Sequence, residues 1–405
     1  MGTRKHLLSP ALLVAALGYF VDVYDLILFL VVKNPSLAAL GIPRAEFVPI
    51  GHRLLDYQMI GMLLGGLAWG VLGDKVGRTK VLFGSIIIYS IANIANAFVV
   101  DLSTYAALRF IAGFGLAGEL GAGVTLVAEL LPKHLRGYGT TVIACIGVLG
   151  AVFAGLTGEI LPWQASYILG GILGLALLTI RISVRDSELF EAAKSSHASK
   201  GSLWMLVRSP RRLGRYLSYI ILGLPIWYSI GILLSNATEI AAAINVQGAP
   251  KQGLCIAWCY TGLCIGDATA GILSQITQSR KRSLATFLLL SLVSPILLLQ
   301  SSGITLVTFY AYYALIGFSV GYWILLLTSA TERFGTNLRA TVTTSIPNFI
   351  RAAIIPISSV FLMLKETYGL TNAALLVGVA TCALASTSLC VMKESFHADL
   401  DFIEK

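Results

Sequence analysis

Long apolar runs alternate with short polar joints along almost the entire chain. A helix crossing the hydrocarbon of a bilayer needs about 20 apolar residues. Runs of that kind fall at 10–33, 56–73, 79–100, 102–131, 138–161, 165–183, 215–241, 252–276, 283–300, 303–330, 340–364 and 369–392. One joint is long and polar, 183–214, and it divides the twelve runs six and six. The pattern predicts an all-α membrane protein of twelve transmembrane helices in two six-helix bundles. The bundles are expected at 1–182 and 215–405, with a linker at 183–214.

Composition agrees. Hydrophobic residues make up 56% of the chain and charged residues only 12%, about half the charge of a soluble domain. Residues 1–10 are short and basic, and the run after them is too long for a cleavable signal and holds two aspartates, so it reads as a first span. The net charge of +9 does not point to nucleic acid, because lysine and arginine sit in small clusters between runs and not on one polar face. With the N-terminus in the cytoplasm, the inner segments hold 22 basic residues. The outer ones hold 5, namely Lys33, Arg44, Arg53, Lys251 and Lys365. That asymmetry predicts a multi-pass protein of a bacterial-type inner (plasma) membrane with both termini cytoplasmic. Six cysteines lie inside apolar runs without a C-x-x-C pair, which reads as buried packing and neither disulfide nor zinc. No cofactor, metal ligand set or nucleophile–base pair is evident, nor a phosphate loop of the G-x-x-x-x-G-K-[ST] kind, so an enzyme is not expected.

The halves repeat. Glu129 precedes Arg136 in AELLPKHLRGYGTT, and Glu332 precedes Arg339 at the same spacing in ATERFGTNLRATVTT. GVLGDKVGRTK at 70–80 matches GILSQITQSRK at 271–281. Matched segments about 200 residues apart indicate parallel repeats related by an axis along the membrane normal. Gly70, Leu72, Asp74, Gly77 and Arg78 then resemble the G-x-L-x-D-x-x-G-R signature of the major facilitator superfamily. Arg109 with Gly113 and Gly115 resembles its span-four arginine motif. Glu129, Pro132, Arg136 and Gly137 resemble the E-x-x-P-x-x-x-R-G element of its sugar-porter-like and metabolite branches. There are departures: Gln275 stands where the first half has Asp74, span five lacks the proline of the drug antiporters, and span seven lacks the sugar-porter glutamine pair. The run FVDVYD in span one and Gly118-Glu119-Leu120 in span four look more like the organic-acid and niacin-type branches.

Candidate chemistry centres on ionisable groups inside the spans, which are costly in lipid and mark functional sites. Asp22 and Asp25 are three apart and share a face of one helix. Asp22 is about 18 Å along span one from Pro10, near mid-bilayer. The resemblance places spans one and four around one cavity, so Asp22, Asp25 and Glu119 are expected there, tuned by Arg109. Grouped carboxylates in low dielectric cannot all stay ionised, the property a proton carrier needs. Arg351, between Pro347 and Pro356 in span eleven, either grips a substrate carboxylate bidentately or neutralises a protein carboxylate, with Asp267 the expected partner. Tyr24, Trp227, Tyr228, Asn236, Tyr322, Trp323 and Asn348 are candidates to shape a pocket. Asp74, Arg78, Glu129, Arg136, Glu332 and Arg339 are expected to form a cytoplasmic gate that pairs and parts.

The expected function is secondary active transport by alternating access, as H⁺ symport of a small organic anion or zwitterionic metabolite. The partners are a small-molecule substrate, protons and the bilayer, and the working unit is a monomer. Two alternatives stay open: an H⁺-coupled exporter of a drug, metal chelator or metal ion, and a non-transporting membrane receptor.

Overall fold

The computed structural model describes residues 10–76, 78–118, 136–183 and 208–396. The first half runs α1 (Pro10–Ala39), α2 (Phe47–Val76), α3 (Arg78–Asn96), α4 (Leu102–Leu116), α5 (Arg136–Ile160) and α6 (Trp163–Ser183). The second half runs α7 (Pro210–Leu222), α8 (Leu224–Tyr228), a π turn (Ser229–Leu234), α9 (Ala237–Ala243), α10 (Gln252–Ile276) and α11 (Arg280–Leu299). It continues with α12 (Leu306–Ser319), α13 (Trp323–Arg333), α14 (Thr336–Ala352), α15 (Ile354–Tyr368) and α16 (Leu370–Val391). Among the described residues, seven helical segments are long and apolar enough to span a membrane by length and composition. Three shorter apolar helices fall at Phe83–Asn96, Leu102–Leu116 and Cys145–Ile160.

The architecture is the expected one, twelve spans in two pseudo-symmetric bundles. The same pairs of spans pack in each half: α2 on α4 and α3 on α6 in the first, α10 on α12 and α11 on α16 in the second. The halves meet through α5 on α10 and α2 on α14. Glycines explain why the pairs repeat. Without a hydrophobic drive between helices in lipid, packing depends on close backbone approach at small residues. Gly61, Gly65 and Gly113 bring α2 and α4 so close that a Cβ would meet Phe110 O, Phe114 O and Gln58 O. Gly262, Gly266 and Gly317 do the same for α10 and α12 against Ala314 O, Phe318 O and Cys259 O. The two seams are copies, one per half.

The ends are set by local chemistry. Asp101 caps α4: its carboxylate accepts from Thr104 N and Ser103 Oγ at 2.8 Å each and from Thr104 Oγ1 at 2.7 Å. The Thr104 N–H and the hydroxyls favour the charged form and lower its pKa to about 2. Ser279 and Thr305 cap α11 and α12 in the same manner.

Three spans of the second half differ from the continuous helices expected. The seventh breaks after Leu222, where Pro225 lacks an N–H, and then widens into the π turn. The carbonyls freed there are taken by side chains of three other helices: Leu233 O by Tyr313 (3.0 Å), Leu234 O by Gln252 (2.6 Å) and Ser235 O by Lys33 (2.5 Å). The tenth breaks between α12 and α13 around Gly321, which touches the backbone of Gly266. The eleventh breaks at Ala352–Ala353, between Pro347 and Pro356. Two boundaries also move. α2 begins at Phe47, ahead of the apolar run that starts at 56. Lys33, expected in an outer joint, lies inside α1 and is 1% exposed.

If the copied seams carry the packing, Gly113→Leu and Gly317→Leu each destabilise the detergent-solubilised protein by about 1–3 kcal/mol or more through overpacking. Gly271→Ala, where nothing lies within 4 Å of the added Cβ, leaves the melting temperature within about a degree of the parent.

Candidate functional site

α1 carries its two aspartates to different neighbours. Asp22 is fully buried, and its Oδ2 is 4.0 Å from Nη2 of Arg351, which is itself 2% exposed. The pair joins the halves, since Arg351 sits in the last turn of α14, beside the break in span eleven. Around it stand Tyr19, Tyr260, Trp323 and Asp267, the first in electrostatic contact with Asp22, Arg351 and Asp267. Gly147 of α5 leaves the space that the Tyr19 ring fills. Asn348, one turn before Arg351, lies against Gly66 of α2, so the same stretch of α14 touches the first half twice.

Asp25 turns into the first half. It is 1% exposed, with Arg109, Asn93 and Asp22 as its polar neighbours. Its Oδ1 fills the space left by Gly170 of α6, and Asn93 is its nearest hydrogen-bonding side chain. Arg109 is fully buried; its Nη2 donates to Gln58 Oε1, and its guanidinium lies 4.5 Å from the Phe29 ring centroid and 5.9 Å from that of Tyr167. Ring faces are a favourable seat for a buried cation. The site is therefore one acid–arginine pair across the halves, Asp22 with Arg351, and a second buried acid, Asp25, in the field of Arg109 within the first half.

The remaining candidates divide. Asp267, expected as the partner of Arg351, caps α13 by accepting from Ile324 N at 3.1 Å, while the ion pair falls to Asp22. Tyr24 spends its hydroxyl on Ser166 O at 3.0 Å, tying α1 to α6. Tyr322 donates to Leu222 O at 3.0 Å and closes the end of α7. Trp227 and Tyr228 are buried in α8, with Gly378 against the Tyr228 ring. Asn236 lies not in the pocket but far along span seven, where its amide meets His52 at 3.0 Å. Of the candidates to shape a pocket, Trp323 and Asn348 lie beside the Arg351 couple.

Glu119 and Glu129 fall outside the described residues. Asp74 ends α2, Arg78 opens α3, Arg136 opens α5 and Arg339 is in the first turn of α14, all at the end of the bundle that holds the central linker. Their side chains are outside what is described. Glu332 is described: it takes a bidentate contact from Arg280 at 2.8 and 3.2 Å, and Ser395 Oγ at 2.8 Å. This joins the two motif copies of the second half to one another. Next to it Glu394 accepts from Ser279 Oγ and from the N–H groups of Arg280, Ser395 and Phe396. Partial burial opposes its ionisation, but these bonds win and lower its pKa to about 2.

The residues overlooked in the sequence are Tyr19, Gln58, Asn93 and Tyr260. A glutamine or asparagine in an apolar run was the available signal for two of them; nothing separates the tyrosines from ordinary packing aromatics.

Comparisons with known proteins bear on the family and the fold. The profile of the Major Facilitator Superfamily matches residues 8–356. The putative niacin/nicotinamide transporter NiaP of Bacillus subtilis is 31% identical over 214 residues, 52% of each chain, so the match spans about half that relative's length. A putative metabolite transport protein of Haemophilus influenzae is 29% identical over 306 residues, 70% of this chain and 71% of that one. The 4-hydroxybenzoate transporter PcaK of Pseudomonas putida is 28% identical over 167 residues, 40% of this chain and 36% of that one. In fold, the crystal structure of a D-xylose-proton symporter superposes with a TM-score of 0.74 at 16% identity, covering 96% of this chain and 99% of that one.

A double-mutant cycle tests the cross-half couple. Asp22→Asn and Arg351→Gln should each destabilise the purified protein, and the double variant should lose less than the sum of the two single losses, by a coupling energy of about 0.5–3 kcal/mol. Additive losses would mean that the two charges do not sense each other. By its profile match over most of its length and by its fold, the chain belongs to the major facilitator superfamily.

Proposed function

We propose that the protein is a proton-coupled symporter of a small organic anion, working by alternating access, and that the Asp22–Arg351 couple is its coupling element. The observation that carries this reading is the buried ion pair across the halves. A substrate carboxylate competes for Arg351, whose fork suits two parallel hydrogen bonds. Once displaced, Asp22 is a carboxylate that has lost its cation in a low-dielectric site, a state that costs several kcal/mol. Taking a proton removes that cost, so anion and proton load together. On release, Asp22 loses the proton and recovers Arg351. The second buried acid, Asp25 in the field of Arg109, offers a further proton seat on the same helix, and Glu119 is retained as a third acid of this set.

The rest of the pocket favours a flat, apolar cargo. Tyr19 and Tyr260 lie within electrostatic reach of Arg351, and Trp323 hydrogen-bonds to Tyr19, so aromatic side chains gather beside the couple. Relatives named for niacin and 4-hydroxybenzoate carry aromatic acids of that shape, and the fold neighbour is named a proton symporter. The two bundles, at 1–182 and 215–405, rock about this site, joined by 183–214. The basic-residue asymmetry supports cytoplasmic termini in an inner membrane. The Glu332–Arg280 contact, together with Asp74, Arg78, Glu129, Arg136 and Arg339, belongs to the cytoplasmic gate, and one chain suffices as the working unit.

Two variants test the reading in proteoliposomes with nicotinate and 4-hydroxybenzoate as probes. Asp22→Asn should abolish accumulation driven by a pH gradient while retaining part of the substrate exchange; equal loss of both, or of neither, counts against it. Arg351→Lys keeps the charge but loses the fork, and should weaken carboxylate binding about tenfold or more. Unchanged affinity would remove Arg351 from the substrate site.

A further inference from the structure

At the end of the bundle away from the central linker, polar groups of the first half reach across the seam to the second. Lys33 Nζ donates to Ser235 O at 2.5 Å and lies 3.4 Å from the Ser235 hydroxyl. The next residue, Asn34, donates to Thr238 Oγ1 at 3.2 Å and to Glu239 Oε1 at 3.0 Å. On α2, His52 Nε2 accepts from the Asn236 amide at 3.0 Å, and Asp56 accepts from Ser358 Oγ at 3.0 Å. Lys33 and His52 thus hold consecutive residues, Ser235 and Asn236. A third line is backbone on backbone: Gly155 and Gly253 touch where neither has room for a Cβ, and Gly253 N–H donates to Glu159 at 2.6 Å.

The lysine is the unusual member. A fully buried ammonium is expensive, and three features offset it here. Ser235 O is freed at the end of the π turn and needs a donor. The cation stands at the C-terminal, negative end of that helix. Glu239 supplies an opposite charge nearby. Gly51 makes room for the aliphatic stem. All of these except the stem's seat depend on the halves being together. When they part, water replaces them and solvates an ammonium well. The contact is therefore reversible where an apolar seal would be sticky.

We propose that this cluster is the gate of the far side, with Lys33 as its pin. Given cytoplasmic termini, that side is the outside. Lys33 follows Asp22 by eleven residues, three full turns, so pin and coupling acid lie on one face of α1 about 16 Å apart. Parting the gate uncovers the path to Asp22 along that face. Lys33 acts here as a positioning residue: it sets which way the site faces and does not touch the cargo in this closed arrangement.

Thiol labelling from outside tests this, in a background with the native cysteines replaced. Ser235→Cys retains the backbone carbonyl that Lys33 uses, and Ser235 is 2% exposed when the gate is closed. A membrane-impermeant maleimide should label it slowly relative to Lys251→Cys, an exposed position on the same side. Adding Lys33→Glu places a carboxylate against Ser235 O and Glu239. Adding Gly253→Val wedges the backbone seam. Each should speed labelling several-fold, Lys33→Arg should stay near the parent rate, and Lys251→Cys should label equally in all of them. The proposal is overturned if Ser235→Cys labels as fast as Lys251→Cys in the parent, or if Lys33→Glu leaves its rate unchanged, with or without an effect of Gly253→Val.

Discussion

An arginine and an aspartate, both out of reach of water, face each other at 4.0 Å across the boundary between two bundles. Neither charge is tolerable alone in that medium. Their mutual dependence is the constraint around which the rest is arranged. It requires α1 and α14 to approach at the last turn of α14, where Arg351 sits beside the one-residue interruption at Ala353. It also requires each half to be rigid enough to hold its charge in place, which the paired glycine seams supply.

The halves are alike in their packing and unlike in their continuity. In the described part of the first half the spans are unbroken, and α1 presents its acids from an intact helix. In the second, spans seven, ten and eleven are interrupted, and the freed backbone groups are met by Tyr313, Gln252, Lys33, Tyr322 and Asp267. Broken helices at membrane depth survive only where protein or a polar path satisfies them. The second half is thus the one in which backbone as well as side chains is available to respond in the proposed exchange between states.

Much of this is legible in the sequence. Charge asymmetry and hydropathy defined twelve spans, and the repeated Glu-to-Arg spacing located the two-fold design, because both signals are local. Asp22, Asp25, Arg109 and Arg351 stood out because an ionisable residue in lipid always needs a reason. Partners were not readable. Asp267 was the natural choice for Arg351, yet its carboxylate is drawn to the open N-terminus of α13, a vacancy created by a helix break that hydropathy does not reveal. Lys33 resembled a loop lysine because it lies at the edge of an apolar run, and only the distant Ser235 carbonyl explains its burial. Asn236 reads as a pocket residue from sequence, but whether it faces the pocket or the seam depends on the register of the π turn.

Binding calorimetry in buffers of different ionisation enthalpy bears most directly on the coupling element, because it counts protons that move with the ligand. With nicotinate or 4-hydroxybenzoate, the protein should take up roughly one proton per carboxylate bound, and Asp22→Asn should take up none. Carboxylate binding with no proton uptake in the parent, or with undiminished uptake in Asp22→Asn, would contradict the account.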